Sequence, residues 1–485
     1  MRVRFRGLLR GLLRGVTVLW LAAVVPSVAL AADSPKLIEA ARNRNLAAVR
    51  SLIQKKADVN ARQPDGGTAL HWAVHWDDLA MAEALTRAGA DANAANDYGI
   101  VPMYQACTNG SAAMVGLLLK SGANASAALP SGETMLMAAA RAGSVDAVKA
   151  LLASGASVNA AEKTRGQNAL MWAVSERHSD VARTLIEAGA DINARTTSGF
   201  TPLLFAAREG DLDTARLLAE RGTDVNHAAD DGSSPLLVAT VRGHSDVGIF
   251  LLDRGANPNA AGTGYTPLHW ASGVWESLMT KDYTIESGEW STLGRVVEQR
   301  EELIKALLAH GANVNARMTR NPPRFGHTFW KVLGGGSVSG GTPLLVAAMS
   351  GDAPIMRLLL AAGANPAIGT GDRTTPLMMA AGLGVVEEET RIPQGARIEA
   401  IKVLLDVGAD INAANNAGNT ALHATAFVGF DDVTKFLAGN GANLSPKNKR
   451  GQTPLKVANG IEMTMQVYIH PSTEALLKSL GATMD

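Results

Sequence analysis

The amino-acid sequence predicts an all-α repeat solenoid, in which helix-turn-helix units stack and are joined by β-hairpin loops. Three observations carry this. A phrase returns along the chain as Thr201-Pro202-Leu203, Thr266-Pro267-Leu268-His269-Trp270-Ala271, Thr342-Pro343-Leu344, Thr375-Pro376-Leu377 and Thr453-Pro454-Leu455, with Thr68-Ala69-Leu70-His71-Trp72-Ala73 as a close variant. Its Thr position recurs at residues 68, 101, 134, 168, 201, 234, 266, 342, 375, 420 and 453, mostly in steps of 33. In the regular copies a second phrase follows 21 residues later, as in Gly89-Ala90-Asp91, Gly155-Ala156-Ser157, Gly189-Ala190-Asp191 and Gly255-Ala256-Asn257.

Each part of the unit has a mechanical reason. Thr201 caps a helix through its hydroxyl, and Pro202 at the first helical position gives up an N–H that has no partner there. That inner helix ends around Glu209-Gly210. An outer helix then carries Leu217 and Leu218 inward until Gly222 stops it in the left-handed conformation. Asp224-Val225-Asn226 enters a hairpin to the next unit. Small residues such as Ala206 and Ala207 let helices approach closely, so each unit has an apolar face that only its neighbours cover.

The 33-residue period carrying Thr-Pro-Leu-His-x-Ala resembles the ankyrin repeat. A degenerate first unit, Leu37 to Asn60, lacks its front half, and with the eleven phased copies it makes twelve. At a helix spacing of ~8–10 Å they stack to about 100 Å, one elongated domain over residues 32–485 with a long concave groove. The resemblance implies protein binding through hairpin tips and inner helices. It also implies that His71, His269 and His423, at the His of the phrase, serve hydrogen bonds between adjoining hairpins.

Residues 1–31 read as a cleavable secretory signal: five arginines and no acid, an apolar stretch from Val16 to Val25, Pro26, then Ala29-Leu30-Ala31 as a small-x-small cleavage site. The apolar stretch falls short of the ~20 residues that span a bilayer, and no later segment is apolar enough to do so. The expected location is periplasmic or secreted, and the resemblance becomes one to an exported bacterial ankyrin-repeat protein. Without the signal the chain has 40 basic and 45 acidic residues, a net of −5, which argues against a nucleic-acid partner. Cys107 is the sole cysteine, so no intramolecular disulfide exists, and it reads as a small core residue.

Three places break the period. About 24 extra residues separate the two helices of the eighth repeat, near 275–294; nineteen lengthen the next hairpin, near 317–340; and twelve enter the tenth repeat, near 387–396. The last repeat has seven extra. Insertions in solenoids map to exposed edges and often mark a binding face. Half of the eight tryptophans lie here, Trp270, Trp275, Trp290 and Trp330, with Phe325, Phe329, Arg317, Arg320 and Arg324 alongside. Trp and Arg lead among binding hot spots, so an aromatic, basic finger over the groove is one reading; satellite cores that fold the insertions onto the stack are the other. Because such segments lie outside the stacked helices, removing Arg317 to Gly340 and rejoining the regular hairpin is expected to leave the solenoid folded.

Elsewhere, Pro64, Asp65, His75 and Trp76, Asp97 and Tyr98, and Phe200 and Tyr265 take hairpin-tip or inner-helix-end positions expected to face the groove. The candidate partner-binding residues are Trp76, Tyr98, Trp275, Trp290, Arg320, Arg324, Phe329 and Trp330. No zinc-protease, paired-cysteine, nucleophile-elbow or calcium-loop motif occurs, and the Gly334 to Gly341 run lacks the Lys of a phosphate cradle, so no catalytic, metal or cofactor residue is assigned. Met103, Met135, Met137, Met171, Met378 and Met379 read as core, and His470 stands alone before Pro471. The leading reading is a monomeric, non-enzymatic scaffold that binds a protein. A cell-wall or glycan binder using Trp290, Trp330 and Arg324, a host-directed effector, and an enzyme using Glu276, Glu286 or Glu289 between the insertions remain as alternatives.

Overall fold

Each repeat buries what its sequence says it must. The sixth is representative. Thr201 is extended and its hydroxyl accepts from the Leu204 N–H at 3.4 Å. Pro202 opens the inner helix (Pro202–Glu209), and Gly210 ends it at φ 69°, a left-handed conformation that costs glycine little. Asp211 caps the outer helix (Leu212–Glu220) by accepting from the Thr214 N–H at 3.0 Å and the Thr214 hydroxyl at 2.6 Å.

The computed structural model describes residues 36–273, 300–320, 338–384, 392–463 and 466–484. Among them twelve inner–outer helix pairs follow one another, from Lys36–Arg42 and Leu46–Gln54 to Pro454–Asn459 and Pro471–Ser479. The first repeat therefore does have an inner helix, although the sequence suggested that its front half was missing. The chain divides into two compact units, one ending at Asp230 and one beginning at Asp231, with six helix pairs each among the described residues.

Within each unit, hairpin tips follow one another through single backbone hydrogen bonds: Asp97 N–H to Asp65 O at 2.9 Å, Thr197 N–H to Arg165 O at 2.8 Å, Asn416 N–H to Asp372 O at 2.8 Å. A second ladder runs where the outer helices end. Asn60 donates to Gly89 O at 3.1 Å and accepts from the Asp91 N–H at 2.7 Å; Asn93, Asn159, Asn259, Asn315 and Asn412 repeat the pattern. One side chain thus pairs with both a donor and an acceptor of the next repeat, on the exposed edge of the stack.

The core is aliphatic. Leu70, Leu136, Leu170, Leu203, Leu236, Leu268, Leu344, Leu377, Leu422 and Leu455 of the recurring phrase are all buried, as are the six methionines named above and Cys107, whose thiol pKa burial pushes up to about 12. In the tenth repeat the outer helix runs from Gln394 to Asp406. The extra residues there consequently stop at Pro393, three short of the Ala396 suggested by spacing. In the last repeat the extra residues contain two short antiparallel strands, Ile461–Met463 and Gln466–Tyr468. His470 does not stand apart: its Nε2 meets Phe427 O at 2.9 Å, against Gly429.

Candidate functional site

The lengthened hairpin of the second unit is anchored by its roots. Met318 and Val338, at its two ends, are each 2% exposed and pack with Leu237, Tyr265, Trp270, Leu345, Val346, Met349 and Met379. The Met318 N–H bonds Gly341 O at 3.0 Å, and the Gly340 N–H returns to Met318 O at 2.7 Å. Tyr265 is 9% exposed and Trp270 7%, their ring centroids 5.8 Å apart. Tyr265 is therefore core rather than outward-facing, because the hairpin roots close over it. Burial also raises its phenol pKa, its largest cause. Arg317 is spent on structure, donating to Gly340 O at 2.9 Å and Gly369 O at 3.2 Å. Arg320 is exposed, with its aliphatic stem against Gly264. Trp275, Trp290, Arg324, Phe329 and Trp330 lie outside the described residues, as do the glutamates of the enzymatic alternative.

In the first unit Trp72, His75 and Trp76 form one aromatic group. Trp76 caps its inner helix (Ala69–His75); its ring stacks on Trp72 at 6.3 Å and meets His75 at 4.6 Å, while its indole N–H reaches Arg42 O at 3.1 Å. The Arg44 guanidinium lies 5.6 Å from the Trp76 centroid, a cation–π contact. Gln105 donates to His75 Nδ1 at 2.9 Å, tying the group to the third repeat. Trp76 is half-buried by these contacts, whereas Tyr98, on the third hairpin tip, is 58% exposed. Phe200 is half-buried against Phe205 at 5.7 Å.

A second group was not foreseen. Arg141 pairs with Glu133 at 3.1 Å, donates to Tyr104 Oη at 3.3 Å and lies over the Trp172 ring at 5.2 Å. Burial works against the Arg141 charge, but Glu133 and Tyr104 outweigh it and raise its pKa; burial, then Glu133, raises that of Tyr104. The signal was available. Trp72, Trp172, Phe205 and Trp270 all stand four residues after the Thr position, a column that reads clearly once the copies are stacked.

The recurring histidines are structural. His269 Nδ1 accepts from the Thr266 N–H at 3.2 Å, which places the proton on Nε2, and Nε2 donates to Ala316 O at 3.0 Å and Gly341 O at 3.2 Å. His71 and His423 do the same to Ile100 O and Gln452 O. Among the described residues no group of three or more His, Cys, Asp or Glu is arranged to hold a metal, and no helix is long and apolar enough to cross a membrane.

Comparison with known proteins agrees with this architecture. The family model described as ankyrin repeats (3 copies) matches residues 37–128, 103–196, 136–229, 203–274 and 392–466, and the single ankyrin repeat matches 263–319 and 339–370. The chain is similar to SH3 and multiple ankyrin repeat domains protein 2 of Homo sapiens, 28% identical over 215 residues, covering 39% of this chain and 11% of that protein. It is also similar to the ankyrin repeat and KH domain-containing protein mask of Drosophila melanogaster, 35% identical over 116 residues, covering 24% and 3%. The chain thus spans about a tenth or less of these relatives' length. The solved human ASB11 ankyrin repeat domain is 30% identical, with a TM-score of 0.42, covering 46% of this chain and 98% of that one. With the repeat models matching well over half of the residues, and the helix pairs, caps and hairpin bonds repeating in step with them, the chain belongs to the ankyrin-repeat family.

Proposed function

We propose that this protein is a non-enzymatic scaffold that acts as a monomer outside the cytoplasm and binds a protein partner through hairpin tips and inner helices. Ankyrin repeats bind proteins, and the observation that supports a contact surface here is Tyr98, a large ring 58% exposed on a hairpin tip in the unit that also holds the Trp72, His75 and Trp76 group. Aromatic rings exposed on a hairpin tip supply contact area at low entropic cost. Spacing alone drew attention to repeats eight to ten, but Trp270, Tyr265 and Arg317 are committed to packing, which shifts the weight toward the first unit. Arg320 is exposed at the hairpin root and keeps the second unit as the rival surface.

The partner is to be identified among proteins that co-purify from the native organism. Tyr98→Ala, an exposed change that leaves folding intact, is expected to weaken that complex by about 1–2 kcal/mol. If Trp330→Ala or Arg324→Ala weakens it and Tyr98→Ala does not, the surface belongs to the second unit instead. For export, N-terminal sequencing of the mature protein should begin at Ala32 or Asp33. Cleavage there leaves the first described helix, Lys36–Arg42, complete. An intact Met1 in the exported fraction would contradict the signal reading.

A further inference from the structure

Three repeats of the second unit are interrupted between inner and outer helix. In the two with the longer interruptions, the eighth and the tenth, the same side chain stands at the same place, whereas the last, with residues 460–470 between its helices, has His470 there. Counting back eleven residues from the glycine that follows the outer helix gives Arg300 from Gly311 and Arg397 from Gly408. In uninterrupted repeats this position caps the outer helix: Asp78, Ser111, Asp211 and Asp352 accept from the N–H three residues on. Elsewhere it is His178 or His470, whose Nε2 reaches back to a carbonyl of the preceding repeat's inner helix, Arg141 O or Phe427 O. In the uninterrupted repeats the chain itself joins the two helices, as Gly210-Asp211 does in the sixth.

In the eighth repeat the inner helix (Pro267–Ala271) and the outer helix (Arg300–Ala309) have residues 272–299 between them, and in the tenth, Pro376–Ala380 and Gln394–Asp406 have 381–393. Arg300 Nη1 donates to Gly273 O at 3.1 Å, 27 residues back in sequence, and Nη2 pairs with Asp352. Arg397 Nη1 donates to Ala380 O at 3.1 Å, and its guanidinium lies 4.9 Å from the Phe430 centroid. Phe430 stands eleven residues before Gly441, so Asp352 and Phe430 hold the same position in the following repeats. Each arginine stands in the first turn of its own outer helix and reaches two places, the end of its own inner helix or the residues just past it, and the cap residue of the next outer helix.

We propose that Arg300 and Arg397 are positioning residues that replace the missing turn, each clasping the two helices of an interrupted repeat so that the stack continues in register past the extra residues. Arginine suits this because its planar fork aims separate N–H groups at separate partners, which a lysine head does not. Arg397 is fully buried, and though burial lowers its pKa to about 10 it stays charged at neutral pH.

The test compares Arg300→Ala in the full chain with Arg300→Ala in a chain lacking residues 276–299, which restores the regular spacing from Thr266 to Gly311. Hydrogen exchange at the Leu303 and Ile304 amides is the readout. In the full chain the substitution should speed exchange about tenfold or more, and in the shortened chain, where the backbone joins the helices, by about threefold or less. Arg300→Lys in the full chain should fall between wild type and Arg300→Ala, because it keeps a charge facing Asp352 but not the fork. Should Arg300→Ala abolish folding of the full chain, folding of the shortened chain with the same substitution supports the clasp. Equal effects in the two backgrounds would reduce Arg300 to an ordinary ion pair with Asp352 and overturn the proposal, as would unchanged exchange in the full chain or a shortened chain that cannot fold at all.

Discussion

Excising Arg317 to Gly340 whole is expected to abolish cooperative unfolding of the second unit, whereas replacing only the residues between Arg320 and Val338 with a short Gly/Ser link should leave the denaturation midpoint near that of the wild type. The sequence placed this whole segment outside the stacked helices, and the structure corrects that: Met318 and Val338 are each 2% exposed in the cluster with Tyr265 and Trp270. Removing a buried side chain of this size costs about 2–5 kcal/mol, so two together cost about 4–10. A domain is stable by only about 5–15 kcal/mol, so the loss is comparable to the whole margin. The long excision also removes the Arg317 bonds to Gly340 and Gly369 and the hydrogen bonds between Met318 and its partners Gly340 and Gly341. Denaturant unfolding followed by circular dichroism checks both variants. If the long excision unfolds as cooperatively as the wild type, the hairpin roots are not part of the core.

Acid is expected to weaken the protein through its buried histidines. Burial is the main cause that lowers the His269 pKa, from 6.5 to about 4, although the backbone carbonyls of Gly341 and Ala316 pull the other way. His71 and His423 are lowered for the same reason. The unfolded chain therefore binds protons at these sites before the folded one does. Their neutral-state stability is fully present above pH ~6.5 and is lost progressively as pH falls below it, for His269 down through its folded pKa of about 4. For His269 the shift corresponds to about 3 kcal/mol at the acid end. The chemistry explains the sign: a proton on Nδ1 would face the Thr266 N–H donor and break the bond that fixes the ring. Thermal unfolding between pH 7 and pH 4 should show a falling midpoint, and His269→Gln should flatten that slope while lowering the midpoint at pH 7. A slope identical in the two proteins would remove His269 as its source.

The sequence alone determined the repeat. Thr or a stand-in before each inner helix, Pro at its first turn, Gly at the ends and Leu in the phrase are local requirements, so they appear as local letters with a period. It also assigned His71, His269 and His423 correctly, since a residue that recurs with the fold serves the fold. Two things escaped it. The inner helix Lys36–Arg42 lacks the usual phrase and is held by the second repeat, through contacts such as Trp76 to Arg42 O. The roles of Tyr265, Arg317, Met318 and Val338 depend on which surfaces the next repeat covers, and that pairing spans residues whose sequence separation is irregular here. Phe200 and Tyr265 both stand one residue before the Thr position, yet Phe200 is half-buried and only Tyr265, with the hairpin roots folded across it, is core. Spacing specifies backbone conformation because caps and turns act over a few residues; tertiary packing decides exposure because burial is conferred by neighbours distant in the chain.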